Sequence, residues 1–221
     1  MTFSLAALDE ATGSLGIVIS SSSPAVAARC AHVRAGVGAA CSQNITDPQL
    51  GHRLLDLIDS GLTAEEAMGS VTEGSPLIAY RQLAVVDARG NTAVWTGDHC
   101  LGTNATAIAH GAAAAGNLLA SSAVPERMVA SYRDASGQFG DRLLAALVAG
   151  LDAGGEAGPV HSAGMLIVDT VSWPTTDLRV DWSDDPVGDL SRLWRLWRPQ
   201  IGAYLARALD PGSAPGYSVP E

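Results

Sequence analysis

Strand-like segments in this chain come in hairpins, helical ones come in pairs, and the two kinds alternate in blocks; that order constrains the fold more than any single motif. Residues 3–9 and 14–21 are apolar strand patterns joined across Asp9-Glu10-Ala11-Thr12-Gly13, where glycine supplies the positive φ of a hairpin turn. Residues 36–43, rich in small side chains (Val37, Ala39, Ala40, Cys41), read as a third strand packed closely against a neighbouring layer. Two helices follow. One starts at Asp47-Pro48, a cap followed by proline at the first helical position, carries Leu50, Leu54, Leu55 and Ile58, and stops at Gly61; the other opens on a Thr63–Glu66 capping box. A second hairpin, 81–87 and 91–96 around Ala88-Arg89-Gly90, precedes a strand at 105–112, helices at about 122–135 and 139–151, a glycine-rich loop at 153–159, and strands at 162–169 and 177–181. Asp184-Asp185-Pro186 launches a last helix with Val187, Leu190, Trp194, Trp197, Ile201 and Tyr204 on one stripe, which Pro199 kinks or restarts. Blocks of strands and helices in this order give an α+β class and exclude the regular βαβ alternation of a dinucleotide-binding fold.

The 221 residues suit one domain, expected over 1–209, with a Pro-, Gly- and Ser-rich tail from Asp210 to Glu221 expected to be disordered. All 13 basic residues are Arg, so lysine Schiff bases, lysine general bases and phosphate-loop lysines are excluded. A net charge of −10 argues against a nucleic-acid partner, which needs a clustered basic face. No apolar run approaches the ~18 residues of a membrane span, so no membrane partner is expected. The odd count of cysteines (Cys30, Cys41, Cys100) and the absence of a leader-like start point to the cytoplasm.

Familiar catalytic signatures are missing: there is no Gly-x-Ser-x-Gly elbow, His-Glu-x-x-His, Cys-x-x-Cys or phosphate loop. Asp98-His99-Cys100 is the one dense run of metal-ligating types, but neighbours on a strand point to opposite faces, so no metal or other cofactor is expected. The second residue is more informative. Threonine is small enough for removal of the initiator methionine, which would leave Thr2 as the mature N-terminus. Its α-amine, with an ordinary pKa near 8, then takes the hydroxyl proton and returns it to a leaving amine, so nucleophile and base lie in one residue.

The start Met1-Thr2-Phe3-Ser4, Ser21 with Ala25-Val26, Arg34-Ala35-Gly36-Val37-Gly38, Ser42-Gln43 and Asp47-Pro48 resemble the domain of unknown function 1028 family. So do Arg81-Gln82-Leu83, Thr96-Gly97 with Cys100, Gly116-Asn117-Leu118-Leu119, Ser162-Ala163 and the run Asp177-Leu178-Arg179-Val180-Asp181, over about residues 1–195. The resemblance implies an N-terminal nucleophile (Ntn) hydrolase-like fold, a four-layer αββα sandwich of two antiparallel sheets. It also implies an amidohydrolase that cleaves a small amide C–N bond. Thr2 matches the family's N-terminal threonine, and Ser21, Gln43, Arg81 and Asn117 match its recurring polar positions. Asn117 is the expected oxyanion donor; Ser21, Gln43 and Arg81 are expected at a small-molecule substrate, Arg81 as a carboxylate clamp. Ser22 and Val160-His161 depart from the family pattern, where a large polar residue and an Arg-Gln pair are frequent. The alternative is a non-catalytic module of the same fold that binds a small metabolite and retains Met1. The Trp-rich final helix is expected to enter the core or to seal a homodimer.

Overall fold

The computed structural model describes residues 2–216; the expectations on Met1 and on residues 217–221 of the tail lie outside them. β1 (Thr2–Asp9) and β2 (Ser14–Ser21) form the opening hairpin. With β7 (Ala105–Ala109), β8 (Ala112–Asn117), β9 (Ser162–Val168) and β10 (Thr176–Val180) they make a six-stranded sheet of order β10-β9-β2-β1-β8-β7. A second sheet has the order β3-β4-β5-β6, from β3 (Ala31–Arg34), β4 (Gly38–Asn44), β5 (Arg81–Asp87) and β6 (Thr92–Thr96). Every pairing between these strands is antiparallel.

The period of two along each strand assigns side chains to layers. On β1, Phe3, Leu5 and Ala7 meet the helices α4 (Val124–Asp134), α5 (Phe139–Asp152) and α6 (Pro186–Trp197), whereas Ala6 and Leu8 meet the other sheet. On β5, Ala84 and Val86 face the first sheet, while Leu83 and Val85 pack on α2 (Pro48–Asp59) and α3 (Ala64–Gly74). Three apolar layers therefore separate helix, sheet, sheet and helix, and the architecture is the expected αββα sandwich. β1 is central and covered on both faces, which is why all eight of its residues are buried. Each fully buried Leu, Ile or Phe in these layers stabilises the fold by roughly 1.5–3 kcal/mol.

The helix signals hold in detail. Asp47 caps α2 by accepting from the Gln49 N–H (3.1 Å), and Thr63 and Glu66 complete the capping box of α3. Two stretches of the chain differ from expectation. The five-residue α1 (Val26–Cys30) and β3 stand where no element was expected, because segments this short show no periodicity. The single strand expected over 105–112 is a hairpin, β7 and β8, turning at His110-Gly111 with Gly111 at φ 71°. The run after the turn, Ala112–Ala115, is alanine throughout and lacks the apolar-polar alternation that marks a separate strand.

Trp194 on α6 is buried and donates its Nε1–H to Asp141 of α5 (2.7 Å), so the aromatic stripe enters the core. Pro199 does restart the helix, through a short 3₁₀ turn, as α7 (Ile201–Leu209). Leu196, Tyr204 and Leu209 stay exposed. A Cβ on Gly140 of α5 would lie 2.4 Å from the Trp194 ring. Gly140→Val is therefore expected to destabilise the protein by about 2–3 kcal/mol, read as a lower urea midpoint with altered tryptophan fluorescence; an unchanged midpoint would refute this packing.

His32 of β3 packs on Gly51 of α2, with its Nε2 unpartnered among the described residues. Burial first, and then the His52 ring 4.5 Å away, lower its pKa from 6.5 to about 4. The unfolded chain takes a proton near pH 6.5 that the folded chain refuses until about pH 4. This contribution to stability is complete above pH 6.5 and disappears as pH falls through that window. Urea unfolding at pH 7 and pH 4 is expected to show His32→Gln losing about 2–3 kcal/mol less than the wild type. Other titrating groups are common to both proteins, so equal losses would remove His32 as the cause.

Candidate active site

The same period of two that builds the inter-sheet layer also loads one end of it with polar groups. Thr2 and Ser4 continue the Ala6–Leu8 face of β1, Ser21 continues Ile17–Ile19 of β2, and Asn117 continues Ala113–Ala115 of β8. Gln43 continues Ala39–Cys41 of β4 and Gln82 precedes Ala84–Val86 of β5. The antiparallel register aligns these ends, with Thr2 opposite Asn117 and Gln43 opposite Gln82. All are buried, and Thr2 is 5% exposed.

Buried amides are costly unless bonded, and here they bond to one another across the sheets. Ser4 donates its hydroxyl to Gln43 Oε1 (2.6 Å), and Gln43 Nε2 donates to Gln82 Oε1 (2.9 Å). Gln82 Nε2 donates to the Gly116 carbonyl (3.0 Å) and to Thr96 Oγ1 (3.1 Å), and Asn117 Nδ2 donates to Gln82 Oε1 (3.2 Å). The Gly116 carbonyl can only accept, so it orients every amide of this chain. Asn117 is left with one Nδ2 hydrogen beyond the Gln82 bond, and its Oδ1 is unpartnered among the described residues. Beside Ser4, burial pushes the Cys41 thiol up to about 12, so it stays neutral.

A residue that the sequence reading missed joins this end of the sandwich. Glu156, from the glycine-rich loop, is 4% exposed and accepts the Ser22 N–H on Oε1 (2.9 Å), while its Oε2 has no partner among the described residues. Burial holds its carboxyl above the ordinary range against the opposing hydrogen bonds from Ser22 and Ser21. Ser4 and Gln82 were missed as well. Their signal was present as single polar residues on otherwise apolar strand faces, whereas a lone Glu in a loop carries no such pattern.

The structure brings together Thr2, Ser21, Gln43 and Asn117 but not Arg81. Arg81 shares the parity of Leu83 and Val85, on the helix-facing side of β5, and its Nη1 donates to the Ile45 carbonyl. Asp87 lies at the far end of β5 and accepts from Asn91, Arg89 and Ala64. No three His, Cys, Asp or Glu residues among those described form a metal-binding group. His99 instead packs on Tyr80 (4.6 Å), and His161 stacks on Trp182 (4.4 Å). Ala25 ahead of α1, Asn44 as the last residue of β4 and Leu118 just after β8 have positive φ of 51°, 72° and 49°. Such left-handed backbone costs about 1–2 kcal/mol per residue and tends to collect at functional sites. By contrast, a cavity of about 700 Å³ lined by Asp9, Glu10, His110 and Arg142 lies at the opposite end of β1.

Two antiparallel sheets between helical layers, with buried polar strand ends around the head of a central strand, define a four-layer αββα sandwich. The chain belongs to the family of unknown function DUF1028, whose family model matches residues 2–190. It is similar to the crystal structure of protein SPO2555 from Silicibacter pomeroyi, a DUF1028 protein, with 31% identity and a TM-score of 0.82 over 88% of each chain. More distant are eukaryotic HslV from Trypanosoma brucei (13% identity, TM-score 0.47, 76% of this chain and 99% of that one) and Anbu from Hyphomicrobium sp. strain MC1 (12%, 0.39, 94% and 99%). No curated protein matches the chain. Among the described residues, no helix is long and apolar enough to cross a membrane.

Proposed function

We propose that the chain is an Ntn-type amidohydrolase that cleaves a small amide C–N bond with Thr2 as nucleophile. The observation that carries this reading is the position of Thr2: first on the central strand, opposite Asn117, and on the face shared with Ser21 and the Gln43–Gln82 pair. Once Met1 is removed, the Thr2 hydroxyl attacks the amide carbonyl carbon while the α-amine takes the hydroxyl proton. The oxyanion is met by the Asn117 Nδ2 hydrogen not spent on Gln82. The amine then protonates the leaving nitrogen, the C–N bond breaks, and water hydrolyses the threonyl ester to restore the enzyme. Ser21 lines the substrate side, and Gln43 holds Ser4 and Gln82 in place behind it. With no lysine in the chain, no lysine side chain assists Thr2.

The intact mass of untagged protein tests the first requirement. It is expected to be short by one methionine, and full retention of Met1 in an active protein would overturn the mechanism. A second reading, a non-catalytic module binding a small metabolite, rests on the burial of Thr2. It predicts that ligand binding survives Thr2→Ala and that no amide is turned over.

A further inference from the structure

The loop between α5 and β9 runs over the head of β1. On one side it is tied to the segment after β8: Glu156 pairs with Leu119 in an antiparallel bridge, Ala157 N–H donates to the Leu118 carbonyl (2.9 Å), and Ala120 N–H donates to the Gly155 carbonyl (3.1 Å). On the other side its Glu156 carboxylate is tied to the segment just after β2, through the Ser22 N–H (2.9 Å). β2 and β8 are the two neighbours of β1, so a strap from one to the other passes over the first residue of β1, which is Thr2. The atom left over in this arrangement is Glu156 Oε2, buried and unpartnered among the described residues.

The other charged and titratable groups cannot take its place. The remaining buried carboxylates, Asp9 and Asp87, end β1 and β5 at the opposite edge. Burial raises the thiols of Cys30 on α1, Cys41 on β4 and Cys100 after β6, so they are neutral. Arg81 on β5 faces the helices, and His161, ahead of β9, turns its Nδ1 to the Ser183 carbonyl (3.1 Å).

We propose, resting on the reading of Thr2 as nucleophile, that Glu156 is the positioning residue for the Thr2 amine. Its Oε2 accepts an N–H of that amine and aims the nitrogen lone pair at the hydroxyl. When the amine takes the hydroxyl proton, the carboxylate balances the ammonium that forms, as the third member of a triad balances an imidazolium. The deposit of a buried acceptor over the strand head, rather than a basic side chain, matches a site whose base is the chain's own amine.

The test uses a chain headed by Thr2, released from a fusion by a protease and labelled with ¹⁵N-threonine. Because the sequence has no lysine, the α-amine is its single aliphatic amine, and its ¹⁵N shift can be followed against pH. Glu156→Gln keeps an oxygen for the Ser22 N–H and removes the charge. Its amine is expected to bind a proton about tenfold more weakly than the wild type's, whereas a change below about twofold overturns the proposal. If Glu156→Gln does not fold, the ¹³C shift of the wild-type Glu156 carboxyl decides. An inflection at the pH where the amine titrates supports the pairing, and a curve without one overturns it. Retention of Met1 in the active natural protein defeats both readings, while an active, Thr2-headed chain whose amine ignores Glu156 defeats this one alone.

Discussion

Replacing Thr2 by valine is expected to lower kcat/KM by about 10³-fold or more on any amide the wild type hydrolyses, with little change in stability. Valine keeps the β-branch that suits the first position of β1 and removes only the hydroxyl. In the proposed mechanism that hydroxyl forms the covalent bond, so no other group substitutes for it and the loss falls on kcat. Thr2→Ser keeps the nucleophile and is expected to stay within about tenfold of wild type. The measurement is a rate series on a panel of small linear and cyclic amides, with urea midpoints as a check on folding. Turnover by Thr2→Val near the wild-type rate would end the N-terminal mechanism.

The second large effect is on stability. Gln82 sits where the two sheets meet and serves four partners: Gln43, Asn117, Thr96 and the Gly116 carbonyl. Gln82→Leu leaves the Gln43 and Asn117 amides and the Gly116 carbonyl without that partner in a dry layer. Each orphaned group costs about 1–3 kcal/mol, and the costs are not additive within one network. We expect Gln82→Leu to lower the unfolding free energy by about 3–4 kcal/mol. The double variant Gln43→Leu/Gln82→Leu is expected to recover part of that loss, since it removes a donor along with its acceptor. A single-variant loss below about 1 kcal/mol, or a double variant no better than additive, would show that the amide chain does not hold the sheets together.

Thr2 was legible as a candidate because a threonine after the initiator methionine can become the mature N-terminus, and Ser21, Gln43 and Asn117 because the ordered motifs resemble one family. Arg81 was legible for the same reason, yet its place differs. It stands one residue from Gln82, and a step of one on a strand moves a side chain to the opposite face. The motif Arg81-Gln82-Leu83 cannot reveal which of its polar residues faces the other sheet until the register of β5 against β4 is known. The orientation of Asn117 was illegible for a related reason, since it depends on a chain of bonds that leaves its own strand at the Gly116 carbonyl and returns to it through Gln82 of β5.

Local physics therefore determined a good deal from the sequence alone: the hairpins, the capped helices, the proline restart at Pro199, the α+β class, and the absence of any lysine-based chemistry. These depend on side-chain period, turn residues and composition, which act over a few neighbouring positions. Only the tertiary structure decided that polar ends of five strands meet at the head of β1, that Arg81 lies outside them, and that Glu156 arrives from a distant loop. Those facts depend on strand order and register, in which residues 34–134 positions apart become hydrogen-bonding partners, and no local pattern carries that information.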